Sequence, residues 1–107
     1  MAKTEAELKK FLENVNREDI HFTNHFYDKQ QFDRKYLSED LTIKSLKDIK
    51  NFLGFQNQSK DNKEKYRIGI KLSGKYNLVV ICEVRDKSLY IITTWKTNRR
   101  WQKSTQK

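Results

Sequence analysis

Apolar positions recur along this chain with two periods, three to four residues in its first half and two in its second. Leu8, Phe11, Leu12 and Val15 fall at helical spacing, and Thr4 with Glu7 makes the pattern of a capping box, so a helix is expected over 5–15. "DIHFT" reads as a short strand. Thr23 or Asn24 would cap a second helix across "HFYDKQQFDRKY", on which His25, Lys29 and either Phe32 or Asp33 fall along one side. "SEDLT" reads as a break. Leu46, Ile49 and Leu53 then define a third helix, with Gly54 as its stop. The polar stretch "QNQSKDNKE", residues 56–64, reads as a mobile loop.

Beyond that loop the period changes. "YRIGIKLS" alternates strictly, placing Tyr66, Ile68, Ile70 and Leu72 on one face and Arg67, Gly69, Lys71 and Ser73 on the other. "YNLVVICEV" is apolar on both sides, as a central strand would be. "LYIITTWKT" follows after the turn "RDKS", and the short turns make the last three strands antiparallel neighbours. The expected fold class is α+β, with N-terminal helices packed on one face of a small antiparallel sheet, in the order α-β-α-α-β-β-β. One domain over 1–107 is expected, with 1–18 as an N-terminal helical extension and 98–107 as a basic, mobile tail. If Tyr66, Ile68 and Ile70 meet the helices, Arg67 and Lys71 point away. On the last strand alternation groups Tyr90, Ile92, Thr94 and Lys96 on one side and Leu89, Ile91, Thr93 and Trp95 on the other. It leaves open which group is exposed.

Charge sharpens this picture. The net charge is +9, yet residues 1–64 carry 12 basic and 12 acidic residues, while 65–107 carry 11 and 2. The whole excess lies in the strand-rich half, which points to a polyanionic partner, because each phosphate contact gains from released counterions. Thirteen aromatic residues (6 Phe, 5 Tyr, 2 Trp) argue against a disordered chain. No apolar run approaches the roughly 20 residues of a membrane-spanning helix. The opening "MAKTEAELKK" lacks the apolar middle of a secretory signal, and a single cysteine makes no internal disulfide, so a cytoplasmic protein without membrane attachment is expected. Cys82, within "YNLVVICEV", is expected to be a buried, inert thiol.

Candidate chemistry is sparse. There is no Gly-rich phosphate loop and no Cys/His metal spacing; His21 and His25 are four apart but straddle a strand-to-helix break. No metal and no cofactor are expected. RNA, however, carries its own nucleophile in the 2′-hydroxyl. A metal-free enzyme then needs a group to accept that proton, another to protonate the leaving 5′ oxygen, and cations for the charge on phosphorus. His25 is the candidate proton carrier. Arg67, Lys71, Lys96, Arg99 and Arg100 are candidate cations, and Tyr90, Trp95 and Trp101 are candidate base-stacking residues.

The element order, together with "TNHF", "YLSED" and the ending "YIITTWKTNRR", resembles the small RelE-like ribonuclease toxins, most closely their BrnT branch, over roughly residues 19–101. Those chains share a histidine after a short strand, basic residues along the next helix, a leucine–serine break, and a final strand leading into a basic segment. The resemblance implies a metal-independent, RNA-cleaving toxin of a toxin–antitoxin system. It would act on RNA, ribosome-bound messenger RNA included, and would pair with an acidic antitoxin. It implies active-site roles for His25, Arg67, Lys71, Thr94 and Lys96, and RNA contacts from Lys29, Arg34 and Arg99. Two other classes fit the same charge pattern: a non-enzymatic nucleic-acid binder of phage or plasmid type, and a basic protein that docks an acidic protein.

Overall fold

The computed structural model of the protein describes residues 3–32 and 38–98. Helices α1 (Glu5–Asn14), α2 (Asn24–Phe32) and α3 (Glu39–Lys47) pack on one face of a five-stranded sheet. The strands are β1 (Ile20–Phe22), β2 (Phe52–Asn57), β3 (Glu64–Lys71), β4 (Tyr76–Arg85) and β5 (Ser88–Asn98), in spatial order β1-β5-β4-β3-β2. The expected α+β class, with helices preceding and covering the sheet, is the observed one. The sheet is mixed rather than wholly antiparallel: β2 to β5 form an antiparallel meander, and β1 joins β5 in parallel.

The helix starts follow the expected chemistry. Thr4 and Glu7 close the capping box of α1, each side chain satisfying the other's backbone N–H. Thr23 caps α2, its Oγ1 accepting from the Phe26 N–H at 3.4 Å. The far end of α1 is held by Lys47, whose ammonium donates to the carbonyls of Leu12, Glu13 and Val15, where the helix dipole favours a cation.

Three expectations fail between residues 38 and 64. "SEDLT" is no break but the capped first turn of α3, with Ser38 Oγ accepting from the Leu41 N–H. The third helix does not run on to Gly54. It stops at Lys47, a 3-10 turn spans Ile49–Asn51, and Phe52–Asn57 pairs with β3 as an edge strand. Leu46 is buried, whereas Leu53 is 41% exposed beside an irregularity in the β2–β3 register. The spacing of Leu46, Ile49 and Leu53 therefore fits a helix by coincidence. Phe52 and Phe55, packed against the core from β2, decide the local structure. The polar loop shrinks to a hairpin turn in which Asp61 and Asn62 adopt left-handed φ values of 53° and 64°. The predicted second helix extends over residues 33–36, which lie outside the described residues.

One core fills the space between the layers. Leu8 and Leu12 of α1, Phe26 of α2, and Ile43 and Leu46 of α3 meet Tyr66, Ile68 and Ile70 of β3, Leu78, Val80 and Cys82 of β4, and Leu89 and Ile91 of β5. The Tyr66 hydroxyl donates to Glu64 at 2.5 Å and accepts from the Lys3 N–H at 2.7 Å, which satisfies its polar tip. β4 is buried on both faces between β3 and β5, as its apolar run suggested.

Candidate nucleic-acid interface

Residues directly opposed on antiparallel strands share a face, so the register assigns the side turned away from the helices. Arg67 opposes Ile81, and Ile81 opposes Thr93; Val79 opposes Trp95; Glu83 opposes Lys65 on one side and Tyr90 on the other. Lys71 opposes Asn77, and His21 of β1 lies beside Tyr90. Arg67 and Lys71 thus point away from the core, as the alternation of β3 required.

On β5 simple alternation fails. Between Cys82 and Ile81 the β5 partner passes from Ile91 to Thr93, so Ile92 is an extra residue in a β-bulge. Before the bulge Leu89 and Ile91 face the helices. After it Thr94 and Lys96 do so, opposite Val80 and Leu78. Tyr90, Thr93 and Trp95 all face outward. Neither of the two groupings read from the sequence is the real one, because one inserted residue changes the phase of everything beyond it.

The outward face combines rings with cations. The guanidinium of Arg67 lies 5.7 Å from the Trp95 ring centroid, and that of Arg85 lies 4.3 Å from the Tyr90 ring. His21 stacks on Tyr90 with centroids 4.8 Å apart and ring planes at 28°. Arg85 also donates from Nε to Glu83 at 2.6 Å. That bond holds the Glu83 carboxyl below its ordinary range against the opposing cost of burial, helped by the charges of Arg85, Lys63 and Lys65. The same pairing raises the Arg85 pKa, so both groups stay charged. Among the described residues neither Arg67 nor Lys71 makes an ion pair.

Beneath this layer Val79 is 0% exposed although it belongs to the face opposite the core. Asn77 is buried in the next row, and its Oδ1 is the one buried side-chain polar atom among the described residues without a hydrogen-bond partner.

The expected site residues do not all meet. Arg67, Lys71, Tyr90 and Trp95 share the outward face. Thr94 is 2% exposed on the opposite face, its Oγ1 donating to the Val79 carbonyl at 2.9 Å. Lys96 also faces the helix side, with Nζ 4.4 Å from the Tyr76 ring. His25 is exposed on the first turn of α2 and belongs to the helix layer, since its neighbour Phe26 enters the core. Lys29 lies on α2. Arg34, Arg99, Arg100 and Trp101 lie outside the described residues. The basic excess is divided as well: Lys75 and Lys87 occupy the turns that flank β4.

No pattern in the sequence gives Glu83 or Arg85 a role, and the spacing of His21 from His25 gives it none at a metal. A usable signal existed for His21, since it alternates with Ile20 and Phe22 in β1 and must point away from the buried Ile20. Its neighbour Tyr90 was not readable, because β1 joins β5 from 69 residues away. Cys82 is buried on the helix side, and burial pushes its thiol up to about 12. No group of three or more His, Cys, Asp or Glu side chains gathers among the described residues in a way that would hold a metal ion. No described helix is long and apolar enough to cross a membrane.

Fold and site together define a small α+β protein with an open sheet face of aromatic rings capped by guanidinium groups. No family model matches the chain, and no curated protein or solved structure is significantly similar to it.

Proposed function

We propose that this protein binds nucleic acid on the open face of its sheet, with RNA as the polymer. One observation carries the reading. Arg67 with Trp95, and Arg85 with Tyr90 and His21, present cations and rings together on the sheet face turned away from the described helices. Phosphates take the charge, and base faces take the rings. The test is the salt dependence of RNA binding in Arg67→Gln/Lys71→Gln. Losing two phosphate contacts on a single strand flattens the slope of log K against log salt by about 1.4, at about 0.7 per contact. An unchanged slope shows that the polymer lies elsewhere.

A second reading, an RNA-cleaving toxin held in check by an acidic antitoxin, is favoured by the exposed imidazole of His21 on that same face. In it the 2′-hydroxyl attacks phosphorus and gives its proton to an imidazole, and the bond from phosphorus to the 5′ oxygen breaks. The imidazole passes the proton to that departing oxygen, a 2′,3′-cyclic phosphate remains on the other fragment, and Arg67 and Lys71 take up the charge that grows on phosphorus. His21 replaces His25 as the first candidate carrier, and Thr94 and Lys96 drop out of the chemistry because they face the helices. Purified chain incubated with total RNA and with translating ribosomes tests it. Fragments that disappear with His21→Ala support cleavage, and intact RNA in every reaction refutes it. A chain that binds no nucleic acid at low salt refutes both readings and leaves an acidic protein as the partner of the basic face.

A further inference from the structure

We infer that the bound polymer is an unpaired strand, whose bases stack at two seats: the Trp95 ring, and the His21 end of the ring stack built on Tyr90. The inference rests on the nucleic-acid reading above and adds the state of the strand. Tyr90 and Trp95 are five residues apart, which in a regular strand would send them to opposite faces; the bulge at Ile92 puts both outward. Each then receives an arginine from another strand, Tyr90 from Arg85 at the end of the adjoining β4 and Trp95 from Arg67 on β3, one strand further across the sheet.

The Tyr90 seat has a direction. β5 lies between β1 and β4, so His21 approaches the Tyr90 ring from the β1 side and Arg85 from the β4 side. With neighbours on both sides, Tyr90 is the middle layer of a stack rather than its free surface. The stack ends in the exposed imidazole of His21 on the edge strand, and a base added there continues it.

A duplex would use none of this. Its base faces are hidden, and an A-form RNA duplex offers only a deep, narrow major groove and a shallow minor groove of 2′-hydroxyls and base edges. The rings would meet only backbone and base edges. The two seats are also far apart. Tyr90 and Trp95 oppose Glu83 and Val79, four residues along β4, which at about 3.4 Å per residue is about 14 Å. That spans about four base steps at about 3.4 Å each, so the two seated bases are not adjacent in the strand, and each must part from a stacked neighbour before a protein ring can lie against its face.

The test is fluorescence anisotropy with a labelled single-stranded RNA, its DNA counterpart and the matching RNA duplex, against the full chain and the variants Trp95→Ala, Trp95→Phe and His21→Ala. The expected result is at least tenfold tighter binding of either single strand than of duplex. Trp95→Ala should weaken single-strand binding roughly 5- to 150-fold, the loss of one stacked base, with the salt slope unchanged. Trp95→Phe should lose less, which guards against a folding defect in the alanine variant, and His21→Ala should weaken single-strand binding without affecting duplex. Duplex bound as tightly as single strand, or less than twofold effects of both alanine variants, overturns the inference and leaves nucleic-acid binding standing. No binding to any of the three probes overturns both.

Discussion

Deleting Ile92 is the most informative single change to the scaffold. In a regular β5, removing one residue reverses the facing of one half of the strand. If the first half turned, Leu89 and Ile91, both 0% exposed, would swing out of the core at about 1.5–3 kcal/mol each, or about 3–6 kcal/mol together. In the observed structure Ile92 is the surplus residue of a bulge, and its removal leaves strict alternation with every face as it is now. Leu89, Ile91 and Thr94 stay inward; Tyr90, Thr93 and Trp95 stay outward. The deletion then costs only what Ile92 contributes. Its side chain is half-buried, about 1 kcal/mol, and its carbonyl accepts from Thr23 Oγ1 at 3.2 Å, about another 1 kcal/mol. Urea unfolding followed by circular dichroism measures the difference directly. A loss of about 2 kcal/mol with nucleic-acid binding retained is expected. A loss of 3 kcal/mol or more, with binding abolished, refutes the bulge and the facing built on it.

Other outcomes follow from single groups. Val80→Ala, at a fully buried position in β4, should cost roughly 1–3 kcal/mol in the same urea experiment, and a cost near zero contradicts its place in the core. Glu83 has a native pKa below its ordinary 4.5, so its pairing with Arg85 stabilises the fold above that value and the contribution fades as pH falls through the depressed one; Glu83→Gln should flatten the acid limb of the melting temperature against pH, and an unaltered limb shows that the pair contributes nothing. Cys82, with its thiol near 12, should resist alkylation in the native protein at neutral pH and react only on unfolding; equal rates in the two states contradict its burial.

The sequence carried the fold further than it carried the site, for reasons visible in particular residues. The capping box at Thr4, the alternation of Tyr66, Ile68 and Ile70 against Arg67 and Lys71, and the two-sided apolar run of β4 are local patterns, and local patterns survive folding. Leu46, Ile49 and Leu53 misled because a helical period over so few residues also fits a helix end followed by a strand, and the pairing of Phe52 and Phe55 with β3 resolves it. The site depends on two things that no local pattern encodes. One is the parallel pairing that carries His21 to Tyr90 across 69 residues of chain, and the other is a one-residue bulge that reassigns Thr94 and Lys96 to the core side. A constellation chosen from residue types alone therefore mixed the two faces of the sheet, whereas the cations of β3 were placed correctly because β3 has no bulge against β4.

Nucleic acid on the face opposite the helices is what every binding prediction above requires. A backbone-amide nuclear magnetic resonance titration of the protein with a short single-stranded RNA maps that contact residue by residue. The largest shifts are expected at Arg67, Ile81, Thr93 and Trp95, with a further set at His21 and Tyr90, and none along α1. Shifts concentrated on α1 and α3, or spread without preference for either face, would contradict that placement.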